Sequence, residues 1–289
     1  MTEPTPPAVP ELAAAPPSRA GRNLPVATAV GLGLLALVFG TLVWRKEAFL
    51  IFAVVAVCAA LWELAQALTR RDLHVPLVPL LVGAVGILVS AYYAGAEAQL
   101  VSFMLTVGGV VIWRVVDGSG PGALRDCVAG AFAAAYLPFL AGFVVLMLDA
   151  PQGGRRVLLF ILLVVASDVG GYTAGVLLGR HPMAPRVSPK KTWEGFGGAA
   201  VAALIAGVLL SMFMLGLPWW TGLICGTVIL LTATAGDLGE SMVKRDLGIK
   251  DMSSWLPGHG GVLDRLDSIL PSTIGALALY YLLSPLAAS

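Results

Sequence analysis

Charged residues are scarce in this sequence. Only 12% of its 289 residues are Asp, Glu, Lys or Arg, and 58% are hydrophobic, whereas an ordinary soluble domain has about 25% charged residues. A soluble chain of this length could not bury nearly all of its helices, so the composition excludes an ordinary globular protein. The net charge of +1 gives no indication of partners, and we expect no nucleic acid to bind.

Cysteine is also rare, and the usual nucleotide-binding glycine loop is missing. The three cysteines, Cys58, Cys127 and Cys225, fall in or at the start of apolar blocks and have neither CxxC nor zinc-type spacing. We interpret them as small apolar packing residues. The GxxxxGK[ST] pattern is absent, so the sequence does not predict a P-loop nucleotide fold.

Long apolar blocks dominate the chain instead. Each is close to the roughly 20 residues that a helix needs to cross a bilayer, and the blocks are continuous rather than spaced at a helical or strand period. We therefore predict an all-α polytopic membrane protein with about nine transmembrane helices, or eight if two blocks do not both span. The blocks lie at about 25–44, 48–68, 76–95, 99–116, 127–148, 156–179, 196–216, 219–236 and 267–286.

Basic residues are distributed unevenly between the predicted loops. With nine spans and a cytosolic amino terminus, 14 of the 18 Lys and Arg residues fall on the cytosolic side. The positive-inside rule favours this orientation, which places both polar loops of the second half in the cytosol. We divide the chain into a disordered Pro/Ala-rich cytosolic tail at 1–24, an amino-terminal membrane region of about five helices at 25–154, and a polar, catalytic membrane region at 155–289.

One loop of the second half, Arg180–Gly195, is strongly basic. It has four basic residues and one acidic residue, Glu194, and it contains the hydroxyls of Ser188 and Thr192. Paired lysines beside hydroxyl groups suit a polyanion such as a triphosphate, but the same charges could contact lipid headgroups. The loop alone does not decide between the two. Its basic residues are Arg180, Arg186, Lys190 and Lys191.

The other polar stretch, Gly236–Asp267, is acidic. Because an acidic stretch repels anionic substrates, a divalent metal that bridges carboxylates to phosphates is the simplest explanation. Asp264 and Asp267 have the spacing of one helical face, and Asp237 lies at the cytosolic end of the preceding span. Helix-end charges and surface ion pairs are the alternative. The charged residues are Asp237, Glu240, Asp246, Asp251, Asp264, Asp267, Lys244, Arg245, Lys250 and Arg265.

Two further features are candidates for the site. Asp168 lies near the middle of the sixth predicted span, where a carboxylate needs a polar partner or a wet cavity; a polar tie between helices is the alternative. Gly258, Gly260 and Gly261 leave backbone N–H groups open to an anion. His259 between them could contact a ligand, carry a proton or stabilise the turn.

Thirteen residues within the 27 positions from Ser241 to Asp267 form a specific pattern. The pattern resembles that of the phosphatidate cytidylyltransferase family, also called CDP-diacylglycerol synthases. Its members here are Ser241, Lys244, Arg245, Lys250, Asp251, Leu256, Pro257, His259, Gly260, Gly261, Asp264, Arg265 and Asp267.

Upstream segments resemble the same family. Ser188–Gly195 matches it, and Asp168–Gly175 matches it apart from Val169 and Gly171, where a threonine and an alanine are expected. In the first half only the Trp62-Glu63 pair is similar. The resemblance therefore covers mainly the polar second half of the chain.

The resemblance implies a reaction and a site. The reaction is the joining of CTP and phosphatidic acid to give CDP-diacylglycerol and pyrophosphate, with Mg²⁺ and with a monovalent cation such as K⁺ as an optional second metal. The implied metal ligands are Asp237, Asp264 and Asp267, with Lys244 and Arg245 as further catalytic residues. The substrate-binding candidates are Ser188, Lys190, Lys191, Thr192, Glu194, Asp168, Lys250, Asp251, His259, Gly260, Gly261 and Arg265.

Family membership further implies a homodimer in the bacterial plasma membrane, in contact with membrane lipid and with its active site facing the cytosol. Two other functions fit part of the pattern. A CTP-dependent lipid-alcohol kinase would transfer only phosphate, and an ion-coupled transporter would use Asp168 and the polar loops as a path. Against transport, the polar residues gather at one membrane face, and the sequence has no internal repeat.

Overall fold

Helices account for nearly all of the chain that the computed structural model describes, which is residues 24–118, 120–255 and 260–283. This confirms the all-α class. His259 and all but the last residue of the predicted tail lie outside these ranges. The helices are α1 (Leu24–Trp44), α2 (Lys46–Leu68), α3 (Leu77–Val116), α4 (Ala123–Ala134), α5 (Leu140–Asp149), α6 (Gly153–Leu178), α7 (Trp193–Leu215), α8 (Trp219–Asp246), α9 (Leu263–Leu266) and α10 (Ile269–Leu283).

Seven helical segments in the described ranges are long and apolar enough to cross a membrane, and Ala29–Trp44 is a shorter apolar helix. Many of their large apolar side chains point outward, such as Phe213, which is 82% exposed. Outward-facing apolar side chains are expected where the surrounding solvent is lipid. The chain is therefore a multi-pass membrane protein, while the count of nine crossings and the cytosolic amino terminus remain predictions.

The helix α3 is a hairpin rather than one straight rod. It spans 40 residues, but Gly95 within it has φ 81° and ψ −168°, far from helical values. Its two arms pack side by side. The Ser90 and Ser102 hydroxyl oxygens lie 2.9 Å apart, and a Cβ on Gly83 would clash with Thr106. The break falls between the third and fourth predicted apolar blocks.

A short hairpin of strands, which the sequence did not predict, orders the basic loop. Strand β1 (Pro182–Ala184) pairs antiparallel with β2 (Ser188–Thr192). Thr192 then caps α7, since its Oγ1 accepts a hydrogen bond from the Gly195 amide at 3.1 Å. An N-cap of this kind satisfies one of the free N–H groups in the first turn of a helix.

Small residues hold the helices of the second half close together. A Cβ on Gly170 of α6 would lie 2.7 Å from the Gly198 carbonyl oxygen of α7, so this glycine beside Asp168 allows the two helices to pack closely. The turn between α7 and α8 uses Gly216 at φ 67°. On α8, a Cβ on Gly236 would lie 2.6 Å from the Asp267 carbonyl oxygen.

Candidate active site

Asp264 is the most completely bonded carboxylate of the acidic stretch. It is 3% exposed. Its Oδ1 accepts from Lys244 Nζ at 2.9 Å, and its Oδ2 accepts from the backbone amides of Met252 at 2.9 Å and Gly261 at 2.7 Å. Buried charges need partners of this kind, so the loop that precedes α9 is folded around this side chain.

The Gly260–Gly261 turn is shaped by the carboxylate that it surrounds. Gly260 has φ +85°, and a Cβ there would lie 2.6 Å from Asp264 Oδ2. The predicted open amide of Gly261 instead donates to Asp264. The glycines thus allow the backbone to approach a carboxylate of the chain itself.

Lys244 joins two acidic residues in the interior. Besides its bond to Asp264, its Nζ lies 3.1 Å from Glu240 Oε1 as an ion pair. That contact lacks hydrogen-bond alignment, and neither Glu240 carboxylate oxygen has a hydrogen-bond partner in the described ranges. Glu240 is 1% exposed, and Lys244 is the cationic group that its buried carboxyl contacts.

The basic loop and the acidic stretch meet at Asp237. Lys191 Nζ from strand β2 lies 2.5 Å from Asp237 Oδ2 on α8. A second contact joins the same elements, because Arg245 Nε donates to the Val187 carbonyl oxygen at 3.2 Å. Two polar segments that are about 50 residues apart in sequence therefore form one site.

Asp267 and Asp168 are linked through Ser268. The Ser268 hydroxyl lies 3.2 Å from Asp267 Oδ1 and 3.5 Å from Asp168 Oδ1, and the Ser268 amide donates to Asp267 at 2.7 Å. The contact between Gly236 and the Asp267 backbone brings α8 to the same place. The structure thus gathers Asp168, Asp237 and Asp267 at one junction of three helices.

The other predicted residues either stabilise the basic loop or have exposed side chains. Glu194 accepts hydrogen bonds from the amides of Arg180 at 3.1 Å and His181 at 3.2 Å, so its carboxylate closes the loop. Ser188 is half-buried in β2. The predicted site residues that are exposed are Asp168, Lys190, Arg245, Lys250, Asp251 and Arg265.

The donor chemistry of the junction fits a hard cation. Asp237 and Asp267 contribute carboxylate oxygens, and Asp237 already accepts a cationic group, the Lys191 ammonium at 2.5 Å. The junction does not form a complete set of metal ligands. Within the described ranges, no three His, Cys, Asp or Glu side chains are grouped tightly enough to hold one ion. Asp264 in particular is turned toward Lys244.

Sequence reasoning missed the roles of three polar residues. Glu63 of α2 is 1% exposed and accepts bonds from the Val262 and Leu263 amides at 2.9 and 2.8 Å. Glu240 and the hydroxyl of Tyr136 are also buried beside the site. The signal for both glutamates was available, since an ionisable residue within an apolar span suggests a function.

Comparison with known proteins shows to which family the chain belongs. Residues 25–283 match the model of the cytidylyltransferase family. The chain is 42% identical to the phosphatidate cytidylyltransferase of Mycobacterium leprae over 280 residues, which cover 92% of this chain and 90% of the relative. It is 39% identical to that of Mycobacterium tuberculosis strain H37Rv, over 90% of this chain and 83% of the relative.

Another relative matches over about half of the chain. The phosphatidate cytidylyltransferase of Helicobacter pylori is 44% identical over 153 residues, covering 52% of this chain and 57% of the relative. The family model and the long mycobacterial matches, in contrast, extend over both halves. The chain therefore belongs to the cytidylyltransferase family.

Proposed function

We propose that this chain transfers a cytidylyl group from CTP to phosphatidic acid, giving CDP-diacylglycerol and pyrophosphate. The names of relatives that match about nine-tenths of the chain support the substrates. The observation that carries the assignment to this site is the contact between Lys191 and Asp237. It joins a segment suited to phosphate with one suited to metal.

The chemistry requires two anions to meet. An oxygen of the lipid phosphate attacks the α-phosphorus of CTP, and the bond from that phosphorus to the bridging oxygen of the β-phosphate breaks as pyrophosphate leaves. No covalent intermediate on the protein is needed. The barrier is mainly charge repulsion and leaving-group charge, so the protein contributes cations and positioning.

The carboxylates of Asp237 and Asp267 would hold Mg²⁺, with Asp264 as the third acidic residue of the site. When bound, Mg²⁺ neutralises phosphate charge and polarises the phosphorus–oxygen bonds. A monovalent cation such as K⁺ is the proposed option for a second metal. The positions of these carboxylates determine where the bound cation would lie relative to β2 and α8.

Basic side chains share the remaining charge. Lys190 is exposed on β2 and would contact the triphosphate, and Lys191 beside it would add positive charge where the triphosphate meets the acidic junction. Lys244 and Arg245 lie one helical turn or more beyond Asp237 on α8 and would stabilise the leaving pyrophosphate. The exposed cations Lys250 and Arg265 are the candidates for the lipid phosphate.

The lipid substrate places the site at a membrane surface. Asp237 and Asp264 lie near the ends of apolar segments, where a lipid phosphate can reach them while the acyl chains stay in the bilayer. The distribution of basic residues supports the cytosolic face of a bacterial plasma membrane. We also propose that the protein forms a homodimer in contact with membrane lipid.

One assay separates this function from its alternatives. The purified protein is incubated with phosphatidic acid, a lipid alcohol such as diacylglycerol, Mg²⁺ and CTP that carries one label in the cytidine ring and another in the γ-phosphate. We expect ring label in the lipid product and γ label in pyrophosphate. Lipid that gains only the γ label would indicate a kinase, and the absence of any labelled lipid would contradict both and favour transport.

A further inference from the structure

Glu63 is a buried carboxylate supplied by the amino-terminal half of the chain. It lies on α2, which is otherwise apolar around it, and it is 1% exposed. All its described hydrogen bonds run to one segment nearly 200 residues later. Since a buried carboxylate without partners is costly, this side chain and that segment must fold together.

Three donors surround the Glu63 carboxylate. Oε1 accepts from the Ser253 hydroxyl at 2.5 Å and from the Val262 amide at 2.9 Å, and Oε2 accepts from the Leu263 amide at 2.8 Å. The last two amides belong to the start of α9, where N–H groups have no partner within the helix. Glu63 thus caps α9 from another helix.

Gly261 allows this approach. A Cβ at that position would lie 2.5 Å from Glu63 Oε2. A side chain there would push the carboxylate away from α9. The neighbouring residue of α2 also holds the segment, because the rings of Trp62 and Trp255 stack with centroids 4.6 Å apart and an interplanar angle of 23°.

Asp264 shares this backbone with Glu63. Of three consecutive amides, that of Gly261 donates to Asp264, and those of Val262 and Leu263 donate to Glu63. Holding two of these peptide groups fixes the orientation of the third. Leu263, whose amide is one of the two held by Glu63, directly precedes Asp264 in the chain.

We propose that Glu63 is a positioning residue for Asp264, through which the amino-terminal half of the chain sets the geometry of the cytidylyl-transfer site. The proposal rests on the function proposed above. Glu63 accepts from the two amides that follow the Gly261 amide, which itself donates to Asp264. Among the described interactions, Glu63 has no contact with Lys191 or Asp237. Its effect therefore passes through the Gly261–Leu263 backbone.

The test compares Glu63→Gln with Asp126→Asn. Glutamine has the same shape but only one acceptor oxygen, so at least one of the Val262 and Leu263 amides loses its partner. Asp126 is a matched control: it is 4% exposed, accepts from the His74 amide at 2.8 Å and pairs with Arg114 at 2.9 Å, away from Asp264.

We expect Glu63→Gln to lower kcat by about 10- to 100-fold, the range found when partners of ligating side chains are changed. Amide hydrogen exchange at residues 261–264 should become faster. Asp126→Asn should leave kcat within about 2-fold of wild type and exchange at 261–264 unchanged. A near-normal kcat for Glu63→Gln, equal losses in both variants, or a loss of kcat without faster exchange would overturn the proposal.

A milder variant keeps the test decisive if Glu63→Gln fails to fold. Ser253→Ala removes one donor and leaves both carboxylate oxygens in place, so we expect a smaller loss of kcat and faster exchange at Val262. No change in either would overturn the proposal. Failure of the proposed function would be distinguishable, because the wild-type protein itself would then form no ring-labelled lipid from CTP and phosphatidic acid.

Discussion

Lys191 is the residue at which the two polar stretches meet. Its ammonium group lies 2.5 Å from Asp237 Oδ2, while the adjacent Lys190 side chain is exposed. Alternation along a strand places these neighbours on opposite faces of β2. One lysine therefore faces the acidic junction and the other faces the open side, where a triphosphate would arrive.

Replacing both lysines by alanine should weaken the interaction with CTP selectively. A hydrogen bond to a charged group contributes roughly 1.5–3 kcal/mol, so we expect the KM for CTP to rise by about 10-fold or more. The KM for phosphatidic acid should change much less. Steady-state kinetics with each substrate varied in turn measures both constants.

The matched control is Arg186→Ala, because Arg186 is an exposed cation of the same loop. It removes one positive charge, where the double variant removes two, and it does so outside the strand that carries Lys190 and Lys191. Its KM for CTP should stay near the wild-type value. Equal increases in both KM values for the double variant would indicate a general electrostatic effect instead.

Among the elements, α8 packs closely against the backbone of Asp267 at Gly236. Gly236 contacts the carbonyl oxygen of Asp267, whereas a Cβ on Gly239 would have nothing within 4 Å. Gly236→Ala should therefore separate α8 from α10 and displace Asp237 from Asp267. Overpacking of this kind costs typically about 1–3 kcal/mol, and we expect lower turnover together with a lower thermal midpoint in detergent.

Gly239→Ala is the control on the same helix. Alanine favours helix over glycine by about 1 kcal/mol, so this variant should be at least as stable as wild type and equally active. Turnover in Gly236→Ala equal to that of Gly239→Ala would show that the close contact does not set the geometry of the site.

The sequence predicted the helical class because apolar blocks of membrane length have few other folds available. It also predicted that Asp237, Asp264 and Asp267 belong to one region. It could not predict the turning of Asp264 toward Lys244 or the capping of α9 by Glu63. Those depend on contacts between segments up to 200 residues apart, for which one sequence has no local signal.

The short strands β1 and β2 were missed for a different reason. Their residues, such as Pro189 and Lys190, have little strand preference, and β1 has only three residues and β2 only five. The pairing is fixed at its ends by α6 and by the Thr192 cap of α7. The conformation of so short a strand is determined by the elements that flank it rather than by the strand preference of its own residues.

At the scale of the whole molecule, orientation in the membrane decides whether the site can reach nucleotides. We predict that Lys250 lies on the cytosolic side and Arg155 on the opposite side; both are exposed. In intact cells, a membrane-impermeant maleimide should label Arg155→Cys but not Lys250→Cys, with the reverse order in inverted vesicles. Because Cys58 and Cys127 are partly accessible, wild-type labelling gives the background. Labelling of Lys250→Cys in intact cells would contradict the predicted orientation.

The most direct test of the account is the transfer of ring-labelled cytidine to phosphatidic acid by purified Asp264→Asn. Asparagine keeps the shape but removes the charge that Lys244 and two backbone amides surround. We predict that product formation falls by at least about 100-fold, as for loss of a group that stabilises transition-state charge, while Asp126→Asn remains active and both proteins stay folded. Near-normal turnover by Asp264→Asn would contradict the account.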